Sequence, residues 1–83
     1  MKIQNETRQR EKLLLLLREL RQKSAMRQTD IAEQLDVPQS FISKYESGTR
    51  RLDVLELRRI CQLMGISLQD FVKKLEESLN ETK

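Results

Sequence analysis

The sequence predicts an all-α fold of five helices, on three observations. Two Gly and one Pro in 83 residues are too few to punctuate a many-turned β fold. Apolar residues recur at spacings of three and four along most of the chain. Helix-capping residue types stand where those apolar patterns begin and end. At this length, with 37% hydrophobic and 35% charged residues, one small, surface-rich domain is expected, its core over about residues 7–79.

The first helix is expected over Thr7 to Lys23. Leu13, Leu17 and Leu20 keep one helical face, with Leu16 beside them. Five consecutive leucines sweep about 500° around a helix, so they cannot all face one core. Leu14 or Leu15 is therefore surplus, serving either a wide buried face or a subunit contact. After a turn at Ser24-Ala25-Met26, a short second helix runs from Gln28 to Leu35, with Ile31, Ala32 and Leu35 inward. Asp36-Val37-Pro38 breaks the chain, since Pro38 disfavours helix at Val37 yet suits a helix start. The third helix spans Gln39 to Ser47, and Gly48 is placed to end it in a left-handed conformation.

Asp53 is a good N-cap for the fourth helix, with Glu56 three residues on as in a capping box. Val54, Leu57, Ile60, Cys61 and Met64 form its expected buried stripe, and Gly65 ends it. Ser67 caps the fifth helix, whose apolar side holds Leu68, Phe71, Val72, Leu75 and Leu79. Residues 80–83 read as a frayed tail.

Composition narrows the chemistry. Histidine is absent, which removes the commonest general base and metal ligand. One cysteine leaves neither an intrachain disulfide nor a Cys-rich zinc site, and Cys61 is expected to be an inert small hydrophobe. No cofactor, metal, small-molecule effector or enzymatic activity is suggested. The longest apolar run, Leu13 to Leu17, is far below the ~20 residues of a membrane helix. The opening Met1-Lys2-Ile3-Gln4-Asn5-Glu6 lacks a secretory core, so a cytoplasmic location is expected. Net charge is +3, and the positive excess lies in residues 1–51, as the footprint of an anionic partner would.

The segment from Gln28 to Ser47 carries the functional reading. Two helices joined by about three residues, with a small residue on the first, form a helix-turn-helix. Ala32 lets the two helices cross closely, Val37 plugs the corner, and Ile42 and Tyr45 anchor the third helix. With Gln39 set at 0° and about 100° per residue, Ser43, Ser47, Ser40 and Lys44 fall near 40°, 80°, 100° and 140°, opposite Ile42 and Tyr45. That outward face holds Ser, Lys and the leading Gln39 but no carboxylate, which suits a helix entering a major groove. Phe41 flanks the core side and is expected to pack there.

The run from Arg21 to Met64 resembles the lambda-repressor/Cro-like helix-turn-helix family, also called the XRE family. The matching residues are Leu20-Arg21, Gln28, Ile31-Ala32, Leu35, Pro38-Gln39-Ser40, Ile42-Ser43-Lys44, Glu46-Ser47-Gly48, Leu57, Ile60 and Met64-Gly65-Ile66-Ser67. The resemblance implies a compact five-helix domain that binds double-stranded DNA, usually as a homodimer on an operator. It implies base contacts for Gln39 and Ser40, with Ser43 and Lys44 deeper along the groove. It implies a phosphate contact for Gln28, which also braces Gln39, and a structural ion pair between Arg21 and Glu46. Arg27, Thr49, Arg50 and Arg51 flank the groove helix and are natural phosphate contacts, which position without reading sequence.

Three residues depart from the family pattern. Arg27 stands where Ser or Thr often caps the second helix, giving up ~1 kcal/mol. Asp36 takes a turn position where Gly is usual, and Leu52 replaces a common proline. The expected function is a sequence-specific transcriptional regulator whose dimer surface lies at Val72 and Leu79, or at Leu14 and Leu15. With no effector-binding or protease-sensitive domain beside the motif, control is expected to follow from operator occupancy. The alternative is a protein-interaction adaptor or antitoxin-type module whose DNA binding is lost or needs a partner protein. An adaptor should carry carboxylates or exposed apolar residues on the outward face of the third helix.

Overall fold

The computed structural model describes residues 3–80, in five α-helices: α1 (Ile3–Lys23), α2 (Gln28–Leu35), α3 (Gln39–Glu46), α4 (Val54–Leu63) and α5 (Leu68–Asn80). The first helix begins four residues earlier than expected, because Ile3 to Glu6 contain no breaker to stop it. The third ends one residue earlier, with Ser47 as its C-cap. Of the expected tail, Asn80 closes α5, and residues 81–83 lie outside the described residues.

The helices pack as α1 on α3 and α5, α2 on α3 and α4, and α4 on α5. At their meeting point Leu17, Ile31, Ala32, Ile42, Tyr45, Ile60, Cys61 and Phe71 are buried. Each helix thus contributes at least one buried residue, the arrangement by which short amphipathic helices bury stripes that none could bury alone. Among the described residues no helix is long and apolar enough to cross a membrane.

The leucine run divides as its geometry requires. Leu17 is buried, Leu13, Leu14 and Leu16 are half-buried, and Leu15 is 56% exposed. Leu15 is therefore the surplus residue. Leu14 packs against the end of α3, where its Cδ1 would lie 3.2 Å from a Cβ added to Gly48. Gly48 itself has φ +86°, so a side chain there would meet both backbone strain and a crowded neighbour.

Local capping follows the sequence closely. Asp53 accepts from the Glu56 N–H at 2.8 Å, and Glu56 accepts from the Asp53 N–H at 3.0 Å, closing the capping box of α4. Ser67 Oγ accepts from the Asp70 N–H at 3.0 Å at the start of α5. Asp36 ends α2 with φ 58° and ψ 48°, the left-handed conformation that Asp tolerates better than most residues. Arg27 supplies no side-chain acceptor to α2. Asp30 offers a substitute by accepting the Arg27 N–H at 2.7 Å, a bond that lowers its pKa.

One expectation about α4 is overturned. Val54 does not belong to the buried stripe: it is 61% exposed, and Leu55 beside it is 70% exposed. The apolar spacing placed Val54 on the inward side, but it stands in the first turn, where no element covers that side. Leu57, Ile60, Cys61 and Met64 do pack against the core. Burial pushes the Cys61 thiol up to about 11, which keeps it protonated and unreactive.

The loop between α3 and α4 is held by an arginine. Arg50 donates to both carboxylate oxygens of Glu56 at 3.2 and 3.0 Å and to the Arg51 carbonyl at 2.9 Å. Its guanidinium also lies 4.2 Å from the centre of the Phe41 ring. Phe41 in turn meets Tyr45 edge-on, with ring centroids 6.1 Å apart. From α1, Arg10 reaches the Gly48 carbonyl at 3.4 Å.

The hydrogen bonds from Arg50 hold the Glu56 carboxyl below its ordinary value of 4.5. A depressed carboxylate stabilises the fold above its unfolded pKa and loses that contribution as pH falls through its folded value. Glu56→Gln should therefore shrink the loss of stability between about pH 7 and pH 3, read by urea denaturation. Equal losses in variant and wild type would show that the pair contributes nothing to the acid limb.

Candidate nucleic-acid interface

The interface is built outward from a buried carboxylate. Glu46, at the end of α3, is 5% exposed, the one charged residue that is buried among the described residues. Arg21 of α1 meets it with two hydrogen bonds, Nε to Oε2 at 2.6 Å and Nη2 to Oε1 at 3.1 Å. Arg21 Nη1 also donates to the Met26 carbonyl at 2.9 Å, tying down the turn before α2. The ion pair expected between Arg21 and Glu46 is present, and bidentate. Arg18 stands farther off, 3.8 Å from Oε1.

From α2, Gln28 Nε2 donates to Glu46 Oε1 at 3.0 Å. An ionised carboxylate only accepts, so the Gln28 amide must turn its nitrogen inward and its oxygen outward. That oxygen accepts from Gln39 Nε2 at 2.6 Å. The series Arg21–Glu46–Gln28–Gln39 thus runs from the core to the surface and ends on an exposed side chain at the first position of α3. Gln39 keeps its Oε1 and one Nε2 hydrogen for an outside ligand. An acceptor and a donor side by side match N6–H and N7 of adenine.

The rest of the outward face is arranged as the helical angles required. Ser40, Ser43 and Lys44 are exposed, while Ile42 and Tyr45 are buried beneath them. Burial raises the Tyr45 phenol well above its ordinary value of 10.0, so its hydroxyl stays neutral under α3. Ser47 is exposed but committed: its hydroxyl lies 3.1 Å from the Lys44 carbonyl and 3.0 Å from Thr49 Oγ1. Thr49 and Arg50 donate their backbone N–H groups to the Lys44 carbonyl at 2.9 and 3.1 Å, which folds the loop back over the end of α3.

The five expected phosphate-binding residues are brought to the two ends of this surface in different states. Arg27 and Thr49 are exposed, and so is Arg51. The Arg27 guanidinium makes only long contacts of 3.5 Å to Asp30. Arg50 instead spends its charge on Glu56 and Phe41, a structural role the sequence did not reveal. Gln28 is half-buried, its amide occupied at both ends. The pairing was hidden because Arg50 lies in the loop and Glu56 in α4, so no periodic spacing links them.

A close helix pair whose second helix turns a polar, carboxylate-free face outward between flanking cations is the arrangement of a DNA-binding helix-turn-helix regulator. The chain belongs to the XRE family of these proteins. The helix-turn-helix family model matches residues 17–71, from the middle of α1 into α5. An XRE-family-like protein from Pseudomonas syringae pv. tomato str. DC3000 has a similar structure, with a TM-score of 0.82 and 37% identity over 88% of this chain and 89% of that one. The clp gene regulator ClgR from Corynebacterium glutamicum is similar over 87% of this chain and 77% of its own, with a TM-score of 0.75 and 25% identity. No curated protein matches the chain.

Removing the Glu46 carboxylate leaves the Arg21 guanidinium without its partner at a site where its side chain is only 13% exposed. Glu46→Ala should destabilise the fold by ~3–5 kcal/mol, seen as a lower urea midpoint with unchanged slope. A midpoint near the wild-type value would mean that solvent compensates Arg21 fully.

Proposed function

We propose that this protein is a sequence-specific transcription regulator that lays α3 in the major groove of double-stranded DNA and acts as a homodimer on a palindromic operator. The observation that carries this reading is the oriented amide of Gln39, fixed from the core through Glu46 and Gln28. A side chain held in one direction loses little freedom on binding and discriminates between bases, whereas a mobile one does neither well. Gln39 and Ser40 read base edges at the entry of α3, and Ser43 and Lys44 reach farther along the groove. Lys44 offers a donor to O6 or N7 of guanine.

Phosphates are held around this helix by Arg27, Thr49 and Arg51, and by Gln28 through its backbone N–H in the first turn of α2, where the helix dipole favours an anion. Arg50, occupied by Glu56, shapes the loop that presents its neighbours and adds positive potential to a phosphate passing over it. The adaptor reading finds less support. The exposed residues of α3 are Gln39, Ser40, Ser43 and Lys44; none is acidic, and none is aromatic or apolar as the centre of a protein-docking face would be.

Selection of binding sites from a random duplex pool at two salt concentrations tests the reading. A palindrome with half-site centres ~10–10.5 base pairs apart supports it, and a pool that enriches nothing opposes it. Gln39→Ala should weaken operator binding by ~1–3 kcal/mol and relax preference at one base pair. An unchanged site profile would remove Gln39 from base reading. Arg51→Ala should weaken binding to all duplexes and lower the salt slope by about one. A loss confined to one sequence would make Arg51 a base contact instead.

A further inference from the structure

A cleft opens between α1 and the loop that joins α3 to α4, away from the outward face of α3. Its volume is about 190 Å³, and its walls are Leu13, Leu14, Leu17, Leu52 and Leu57. An apolar cavity of about 150 Å³ is enough to hold benzene. The space therefore suits one ring or a short chain.

The polar groups of the cleft stand at two ends. Arg10, Leu13 and Arg51 line both the cleft and the open groove between α1 and α5, which places the two arginines at its mouth. Tyr45 lines the cleft and not the groove, which places it inside. Among the described residues no buried side-chain oxygen or nitrogen is sealed off without a partner. Tyr45 is 1% exposed and its hydroxyl has no hydrogen-bond partner among them, so that hydroxyl borders the cleft. A buried hydroxyl is rarely left unpaired. Held neutral by burial, this one is a donor at the inner end.

Charge selects the occupant. Three arginines line the cleft and no carboxylate does. Arg50 is committed to Glu56. Arg10 gives one long bond, 3.4 Å, to the Gly48 carbonyl, and Arg51 is exposed. Among the described residues neither Arg10 nor Arg51 takes part in an ion pair. Two such guanidinium groups at the mouth of an apolar cleft complement a carboxylate that carries an apolar body.

We propose that this cleft binds a small carboxylic acid whose apolar body ends in a hydrogen-bond acceptor. The carboxylate lies between Arg10 and Arg51, the body lies against the leucines, and the far group accepts from the Tyr45 hydroxyl. Binding weakens the hold on DNA, a consequence that rests on the DNA-binding reading. Arg51 is one of the phosphate contacts of that reading, and a carboxylate bound to it competes with the phosphate. No sequence pattern marks the site, because its lining comes from α1, α3, α4 and the loop between the last two.

Titration of the full chain with para-hydroxyphenylpropionate, followed by calorimetry and by amide chemical shifts, tests the site without DNA. One molecule should bind per chain with a Kd below about 1 mM, shifting the amide signals of Leu14, Tyr45 and Leu57. Phenylpropionate should bind about five-fold more weakly, and para-hydroxyphenylpropanol about ten-fold more weakly. Tyr45→Phe should remove the difference between the two acids. Arg10→Gln and Arg51→Gln should each weaken the hydroxylated acid about five-fold and leave the alcohol unchanged. Circular dichroism should show wild-type helix content in all three variants. No binding at millimolar concentration, equal binding of acid and alcohol, or shifts confined to another surface would overturn the proposal. A folded Tyr45→Phe variant that still prefers the hydroxylated acid would also overturn it.

Duplex binding is read separately by fluorescence anisotropy, at constant ionic strength. Saturating para-hydroxyphenylpropionate should weaken duplex binding of the wild type about five-fold or more. At the same concentration it should have little effect on Arg10→Gln. Duplex binding that a bound acid leaves unchanged would overturn the link between cleft and DNA. A chain that binds the acid as described but binds no duplex would overturn the DNA-binding reading and leave the cleft standing.

Discussion

The helix-turn-helix depends on one buried negative charge. A carboxylate in a low-dielectric interior costs several kcal/mol unless paired and hydrogen-bonded, and the geometry that satisfies it is narrow. Glu46 meets this requirement by drawing Arg21 from α1 and Gln28 from α2 to the end of α3. Apolar contacts alone tolerate small shifts of one helix against another. The bidentate bond to Arg21 does not, because any displacement leaves charge unpaired in the interior. Three helices are thereby held in register by one side chain, and the polar series that starts there ends at the surface on Gln39.

Around that charge the apolar residues set how closely the helices approach. Ala32 on α2 is buried where a larger side chain would push α3 away. Ile42 and Tyr45 press into the core from α3, and their burial is what turns Ser40, Ser43 and Lys44 outward. Core packing and surface recognition are two sides of the same eight-residue helix. At its end Gly48 takes a left-handed conformation against Leu14, so the loop turns back without displacing α1.

The cations of the chain, equal in formal charge, are unequal in role once folded. Arg21 is spent on Glu46, and Arg50 on Glu56 and the Phe41 ring. Arg51 and Arg27 keep their exposure at opposite ends of the α2–α3 surface. Arg21 and Arg50, tightly paired, shape the scaffold, and the exposed Arg27 and Arg51 supply its external field. Summed charge along the sequence shows where positive residues lie, but it cannot tell these two uses apart.

The sequence by itself determined the features that arise within a few residues. Five helices, the left-handed turn at Gly48, the caps at Asp53 and Ser67, and the outward face of α3 all follow from local spacing and backbone preference. The bond between Arg21 and Glu46 and the bracing of Gln39 by Gln28 were legible only through family resemblance, since their partners lie eleven to twenty-five residues apart. Tertiary structure alone decided which leucine of the run was surplus, and it turned the Gln28 amide so that its oxygen meets Gln39. It also committed Arg50 to Glu56 and left Val54 uncovered at the start of α4. The physical reason is common to all four. Periodicity tells which way a side chain points, but burial and pairing depend on whether another part of the chain arrives there.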